Sequence, residues 1–160
     1  MLLQISLFHL KSQNSWPLEP GLGQRRLADR LALRELACRY ARAIDRRDWA
    51  LARELFTEDS VLVAPHFVIS GADAIVRGFR VVERYRSTFH AVLNQLFEVA
   101  GDEANGETYC VASHLFDRDG RAMKLDWGIR YQDHCRRTED GWRFARRELL
   151  VDWEQELPVL

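Results

Sequence analysis

Apolar residues recur at three- and four-residue intervals through Leu36, Ala37, Tyr40, Ala41 and Ile44. That spacing predicts one buried face of a long helix running from Leu27 to about Ile44. Asp45 follows Ala41 by four, so a carboxylate continues the apolar face, which is costly unless donors surround it. Asp48 has the chemistry of a cap for a second, shorter helix through Trp49, Ala52, Leu55 and Phe56. Ser60 to Ala64 predicts a short strand ended by Pro65. Ile75, Phe79 and Val82 share one face of a third helix over Ala72 to Arg86. After Ser87 the character changes. Phe89–Val99, Gly106–Phe116, Lys124–Arg136 and Trp142–Trp153 are long segments bearing Val, Leu and aromatic residues. Gly101-Asp102, Asp119-Gly120 and Asp140-Gly141 separate them as turn signals. Helices followed by an antiparallel meander predict an α+β fold, with helices packed on one face of a curved sheet. Ser15, Pro17, Pro20, Gly21 and Gly23 break any period. Residues 1–25 are therefore expected to form an N-terminal extension, poorly ordered or a subunit-contact arm, ahead of one domain over 26–160.

The chain has 160 residues, 47% hydrophobic and 29% charged, with a formal net charge of −1. Those values suit one globular domain with a real core and give no bulk attraction to nucleic acid or a membrane. No apolar run is long enough to span a bilayer. The apolar start Met1–Leu10 lacks a basic lead and a small-residue cleavage site, so a cytoplasmic location is expected. Cys38, Cys110 and Cys135 are odd in number and widely spaced, which points to buried thiols rather than a disulfide framework or zinc site. Gly21-Leu22-Gly23 lacks the strand–helix context of a phosphate loop, and no nucleophile elbow is present. No cofactor is expected.

Strand alternation sorts the candidates for chemistry. His90, Val92, Asn94 and Leu96 share one face of the first long strand. Gly106, Thr108, Cys110, Ala112, His114 and Phe116 share one face of the second, where small side chains leave room. Leu125, Trp127, Ile129, Tyr131 and Asp133 share one face of the third, and Arg147, Leu149 and Val151 one face of the last. An apolar lining with a few imidazoles and one carboxylate describes a small-molecule pocket. Arg147 could carry a cation into it for a carboxylate or enolate, or could sit in a salt bridge at its rim. Asp45, His90 and His114 could in principle form a two-histidine, one-carboxylate metal site. His9, His66 and His134 are expected at the surface, and Trp127, Trp142 and Trp153 in packing.

The segments Tyr40-x-x-x-Ile44-Asp45-Arg46-Arg47-Asp48-Trp49, Thr88-Phe89-His90, Ala112-Ser113-His114, Asp140-Gly141-Trp142-Arg143-Phe144 and Val151-Asp152-Trp153 together resemble the scytalone dehydratase and SnoaL-like group. The resemblance covers about Leu27 to Trp153. It implies the cone-shaped α+β barrel of the nuclear-transport-factor-like superfamily. It also implies that Asp45 orients His90 as a general base, with His114 as a second pocket histidine. Tyr40, Asn94, Ile129, Tyr131, Arg147 and Val151 are then expected to contact the substrate. The implied activity is that of a cofactor-independent, metal-free lyase or isomerase on a small, largely apolar polyketide, steroid or aromatic compound. Ile44 stands where the dehydratase has a tyrosine, and Ile129 and Tyr131 where it has a serine and an asparagine, so a different substrate is implied. The alternative is a non-catalytic binding or accessory protein of the same fold, including a dioxygenase small-subunit role. Members of the superfamily pair through the exposed sheet face, which implies a homodimer or homotrimer through a face that includes some of Phe97, Val99, Tyr109 and Val111.

Overall fold

The apolar face read from the sequence lies on helix α1, Pro20–Arg46, and brings Leu33, Leu36, Tyr40, Ala43 and Ile44 into the core. Burial of each large side chain of this kind stabilises the fold by about 1.5–3 kcal/mol. The protein is described here from a computed structural model covering residues 20–159. The expected extension over residues 1–25 lies outside the described residues except for its last part, where α1 begins at Pro20. Helix α2, Trp49–Glu54, is capped as expected, with Asp48 accepting from the Leu51 amide at 3.0 Å.

Strand β1, Phe56–Ala64, starts earlier than the sequence pattern indicated, because Phe56 is a fully buried strand residue rather than the end of α2. It turns back into β2, Phe67–Ser70, four residues too short to show an alternation of their own. Helix α3, Ala72–Phe79, ends sooner than expected and tightens into a 3₁₀ turn over Arg80–Arg84. Four long strands follow: β3, Ser87–Ala100; β4, Glu103–Arg118; β5, Arg121–Thr138; and β6, Gly141–Pro158. The sheet order is β2-β1-β6-β5-β4-β3, with β1 parallel to β6 and all other pairs antiparallel. The helices pack against one face. At the β4–β5 hairpin both Asp119 and Gly120 have positive φ, 52° and 74°, as the tightest antiparallel turns require.

Irregularities in register decide which side chains face the helices. Val92 pairs with Cys110 but Gln95 pairs with Thr108, so β3 carries one extra residue at this point. Side-chain alternation inverts across such a bulge. His90 therefore faces inward with Ala112, whereas Asn94 and Leu96 turn outward and Gln95, Phe97 and Val99 turn in. Carbonyls displaced by a bulge need other donors. Arg34 of α1 supplies them, with its guanidinium 2.6 Å from the Leu93 carbonyl and 3.1 Å from that of Val92. A second shift sets Gly128 opposite Trp153 and Ile129 opposite Val151. Trp153 then lies flat over Gly128, where a Cβ would come within 2.1 Å of the indole.

Among the described residues, Arg147 and Asp133 form an ion pair buried on both sides. Arg147, 1% exposed, donates from Nε and Nη2 to the two oxygens of Asp133 at 2.7 and 2.8 Å. Burial opposes the guanidinium charge, but the Asp133 carboxylate outweighs it and holds Arg147 protonated. The guanidinium also stacks on Phe144, Tyr131 and Tyr40 at 3.9, 4.1 and 4.3 Å from the ring centres. The three cysteines are free thiols. No helix among the described residues is long and apolar enough to cross a membrane.

The hold of Arg34 on the bulge is testable. Arg34→Met keeps the apolar stem and removes both donors, and should lower stability by about 1–2 kcal/mol in urea unfolding.

Candidate active site

The last turn of α1 delivers Asp45 to the start of β3. Its Oδ1 accepts from Thr88 Oγ1 at 2.8 Å and lies 2.7 Å from His90 Nδ1; its Oδ2 accepts from the His90 amide at 2.9 Å. Three donors thus meet the carboxylate that the apolar face of α1 carries inward. Burial alone would raise its pKa, but the bonds from His90 and Thr88 outweigh that and hold the carboxyl below its ordinary value. An ionised carboxylate only accepts, so the proton of neutral His90 resides on Nδ1 and the lone pair on Nε2. Thr88 had no signal in the periodicity. Its place in the Thr88-Phe89-His90 segment that resembles the SnoaL-like group was the available hint.

Adjacent rows of the inner sheet face build the rest. His90, Ala112 and Trp127 are directly paired across β3, β4 and β5, and Thr88, His114 and Leu125 form the next row. Ala112 is the small residue that leaves space between two large rings. The resulting cavity has a volume of about 270 Å³. Tyr40, His90, His114, Ile129, Tyr131 and Val151, six of the residues singled out from the sequence, line it. Asp45 stands behind His90.

Two expected contacts are corrected. Asn94 is turned outward by the bulge in β3 and lines a shallow groove on the opposite face of the sheet, about 660 Å³, that contains none of the Asp45–His90 pair. Arg147 shares its strand face with Val151 as expected, but its guanidinium is enclosed by Asp133 and three aromatic rings and does not line the cavity. Several lining residues were not among the site candidates read from the sequence. Leu62, Pro65, Phe67 and Ile69 come from the β1–β2 hairpin, and Val82 and Arg84 from the 3₁₀ turn. His66, expected at the surface, is exposed and also borders the cavity. Trp127 packs on His114, with ring centres 4.8 Å apart, and forms part of the wall.

His114 is 3% exposed, and its Nδ1 donates to the Leu125 carbonyl at 3.2 Å, which leaves Nε2 as an acceptor. Burial pushes its pKa below the ordinary histidine value, and the neighbouring His90 adds to that shift. Burial raises the phenols of Tyr40 and Tyr131, so both remain protonated near neutrality. Asp45 and His90 are bonded to each other, and among the described residues no three His, Cys, Asp or Glu side chains converge to hold a metal ion.

The sign of the His114 shift fixes a pH dependence. A histidine that resists protonation when folded makes the unfolded state the better proton binder, so stability falls as pH drops through the ordinary histidine range. Thermal melts should show that loss on acidification below about pH 6.5, and His114→Gln should flatten it.

A family model described as "SnoaL-like domain" matches residues 25–148. Terrestric acid biosynthesis cluster protein E of Penicillium crustosum is 29% identical over 136 residues, which are 81% of this chain and 86% of that protein. Among solved structures, a candidate scytalone dehydratase of Novosphingobium aromaticivorans superposes with a TM-score of 0.77 at 23% identity, covering 86% of this chain and 93% of that one. The hexachlorocyclohexane dehydrochlorinase LinA-type3 of Novosphingobium barchaimii gives 0.74 at 17% identity, covering 84% and 94%. At those identities the two structures bear on the fold alone. With the helix-backed curved sheet and a family match over most of its length, the chain belongs to the SnoaL-like domain family and has the nuclear-transport-factor-like α+β fold.

Proposed function

We propose that this protein is a cofactor-independent lyase or isomerase of the dehydratase type, acting on a small, largely apolar polyketide, steroid or aromatic compound. The observation that carries the reading is the 2.7 Å contact between His90 Nδ1 and Asp45, with the His90 ring on the wall of an apolar cavity. The fold is one that a dehydrochlorinase and a candidate dehydratase also adopt, and the reading takes from them only that this architecture is compatible with eliminations.

In this reading His90 Nε2 removes a proton from a carbon next to a carbonyl. The Asp45 carboxylate stabilises the imidazolium that forms and keeps the ring in one tautomer. His114 is held neutral with its Nε2 an acceptor, so it orients a substrate hydroxyl rather than supplying a proton. The proton that leaves with a departing hydroxyl, or returns to another carbon in an isomerisation, then comes from His90 itself. One imidazole serves as base and acid in turn. The buried thiols Cys110 and Cys135 suit a reducing compartment such as the cytoplasm.

Incubation with one- and two-ring β-hydroxy ketones in D₂O, followed by NMR, tests the chemistry. His90→Ala should abolish deuteration at the α-carbon and loss of water. Asp45→Asn should slow both by about 10²–10⁴-fold, and His114→Ala should cost less. Unchanged turnover in Asp45→Asn would return the protein to the binding or accessory class.

Assembly is proposed as well. The outer sheet face carries Phe89, Leu96 and Trp153, which are 62%, 71% and 47% exposed, beside Tyr109 and Val111. Phe97 and Val99, first assigned to this face, are turned inward by the bulge. An apolar surface of this kind supports pairing with a second copy of the chain. Sedimentation at micromolar concentration should give a homodimer or homotrimer, and Leu96→Glu with Trp153→Glu should shift it towards monomer.

A further inference from the structure

The cation expected in the pocket from Arg147 is supplied from elsewhere in the chain. Arg84, at the end of the 3₁₀ turn, lines the cavity and is exposed to solvent. Its guanidinium lies 4.8 Å over the Tyr85 ring and donates from Nη2 to the Tyr85 hydroxyl at 2.7 Å. Tyr85 packs against His114 with ring centres 4.7 Å apart and planes inclined by 47°, and His114 lies 6.3 Å from His90. Successive ring contacts therefore lead from Arg84 at the mouth to the proposed base inside. Arg84 also acts electrostatically on His114, where its charge opposes protonation.

Among the described residues Arg84 forms no ion pair with a carboxylate, unlike its neighbours Arg80 with Glu83 and Arg86 with Asp117. Glu154 also borders the cavity but does not pair with Arg84. The stretch Arg77-Gly78-Phe79-Arg80-Val81-Val82-Glu83-Arg84-Tyr85-Arg86 holds four arginines and one acid. Arg84 is the one guanidinium among the described residues that line the cavity, and a cation beside a low-dielectric cavity attracts the opposite charge. A guanidinium stacked on an aromatic ring is preorganised, and its planar fork matches a carboxylate.

We propose that Arg84 is a specificity-determining residue that binds a carboxylate on the ligand at the cavity mouth, while the ligand's apolar ring body enters towards His90. The substrate class is accordingly a small ring-bearing carboxylic acid. This rests on the reading of the cavity as the substrate site, but not on His90 being a working base.

The test uses 2-naphthoate and its neutral, planar isostere 2-naphthamide, titrated calorimetrically into the full chain. The parent protein should bind naphthoate about fivefold more tightly, and added salt should erode the preference. Arg84→Gln should abolish the preference by weakening naphthoate far more than naphthamide, and Arg84→Lys should restore part of it. His90→Ala should keep the preference, so a failed base and a failed carboxylate site give different results. Equal binding of both probes by the parent protein, no binding of naphthoate, a preference that survives in Arg84→Gln, or an equal loss of both probes in that variant overturns the proposal.

Discussion

The structure depends on satisfying one carboxylate. Asp45 lies in the last turn of α1, where the negative end of the helix dipole disfavours an acid, and on the face the helix turns to the core. It is tolerated because β3 presents a hydroxyl, an amide and an imidazole nitrogen to it at once. That arrangement joins the end of α1 to the beginning of β3. It also orders His90, since a ring that donates from Nδ1 and whose own amide is held by the same carboxylate has little freedom to turn. A bond set that relieves a half-buried charge therefore also orients the proposed base.

Around this junction the cavity comes from differences in side-chain size and from faults in register. Ala112 sits between His90 and Trp127 and leaves the volume that a larger residue would fill. The bulge in β3 lets the strand follow the sheet's curvature while its two halves present opposite alternations to the helices. Arg34 makes this possible by bonding the carbonyls that the bulge displaces. At the deeper end Arg147 and Asp133 support the backs of Tyr40 and Tyr131 as a neutralised pair. Removal of either member would leave an uncompensated buried charge.

The two histidines illustrate how environment separates like groups. His90 faces a carboxylate, whereas His114 faces a backbone carbonyl and two aromatic rings. The first can stabilise a positive charge through its partner, and the second is biased towards the neutral form. One imidazole can thus serve proton transfer while the other accepts a hydrogen bond, within a lining that is otherwise mostly apolar.

Much of this was legible along the chain because it depends on local periodicity. The three-and-four spacing from Leu36 to Asp45 set the helix and marked its anomalous acid. Period-two alternation with Gly and Asp turns set the long strands, and the positions of His90, His114, Ile129, Tyr131 and Val151 on inner faces followed from it. Alternation can be counted only until a register fault, so the sequence assigned Asn94, Phe97 and Val99 to the wrong faces; the bulge that reverses them is stabilised by Arg34, 58 residues distant from Val92. The partners of charged groups were likewise hidden, because ion pairing is set by distance in space. Arg147 shares a strand face with Val151 yet is taken up by Asp133, while Arg84, on a turn without period, reaches the cavity. The sequence by itself determined the long helix and the long strands, since hydrophobic period is local, and its resemblance to the SnoaL-like group marked Asp45 and His90. Only the tertiary structure decided which charges are neutralised and which meet the cavity, since burial and pairing belong to the packed chain.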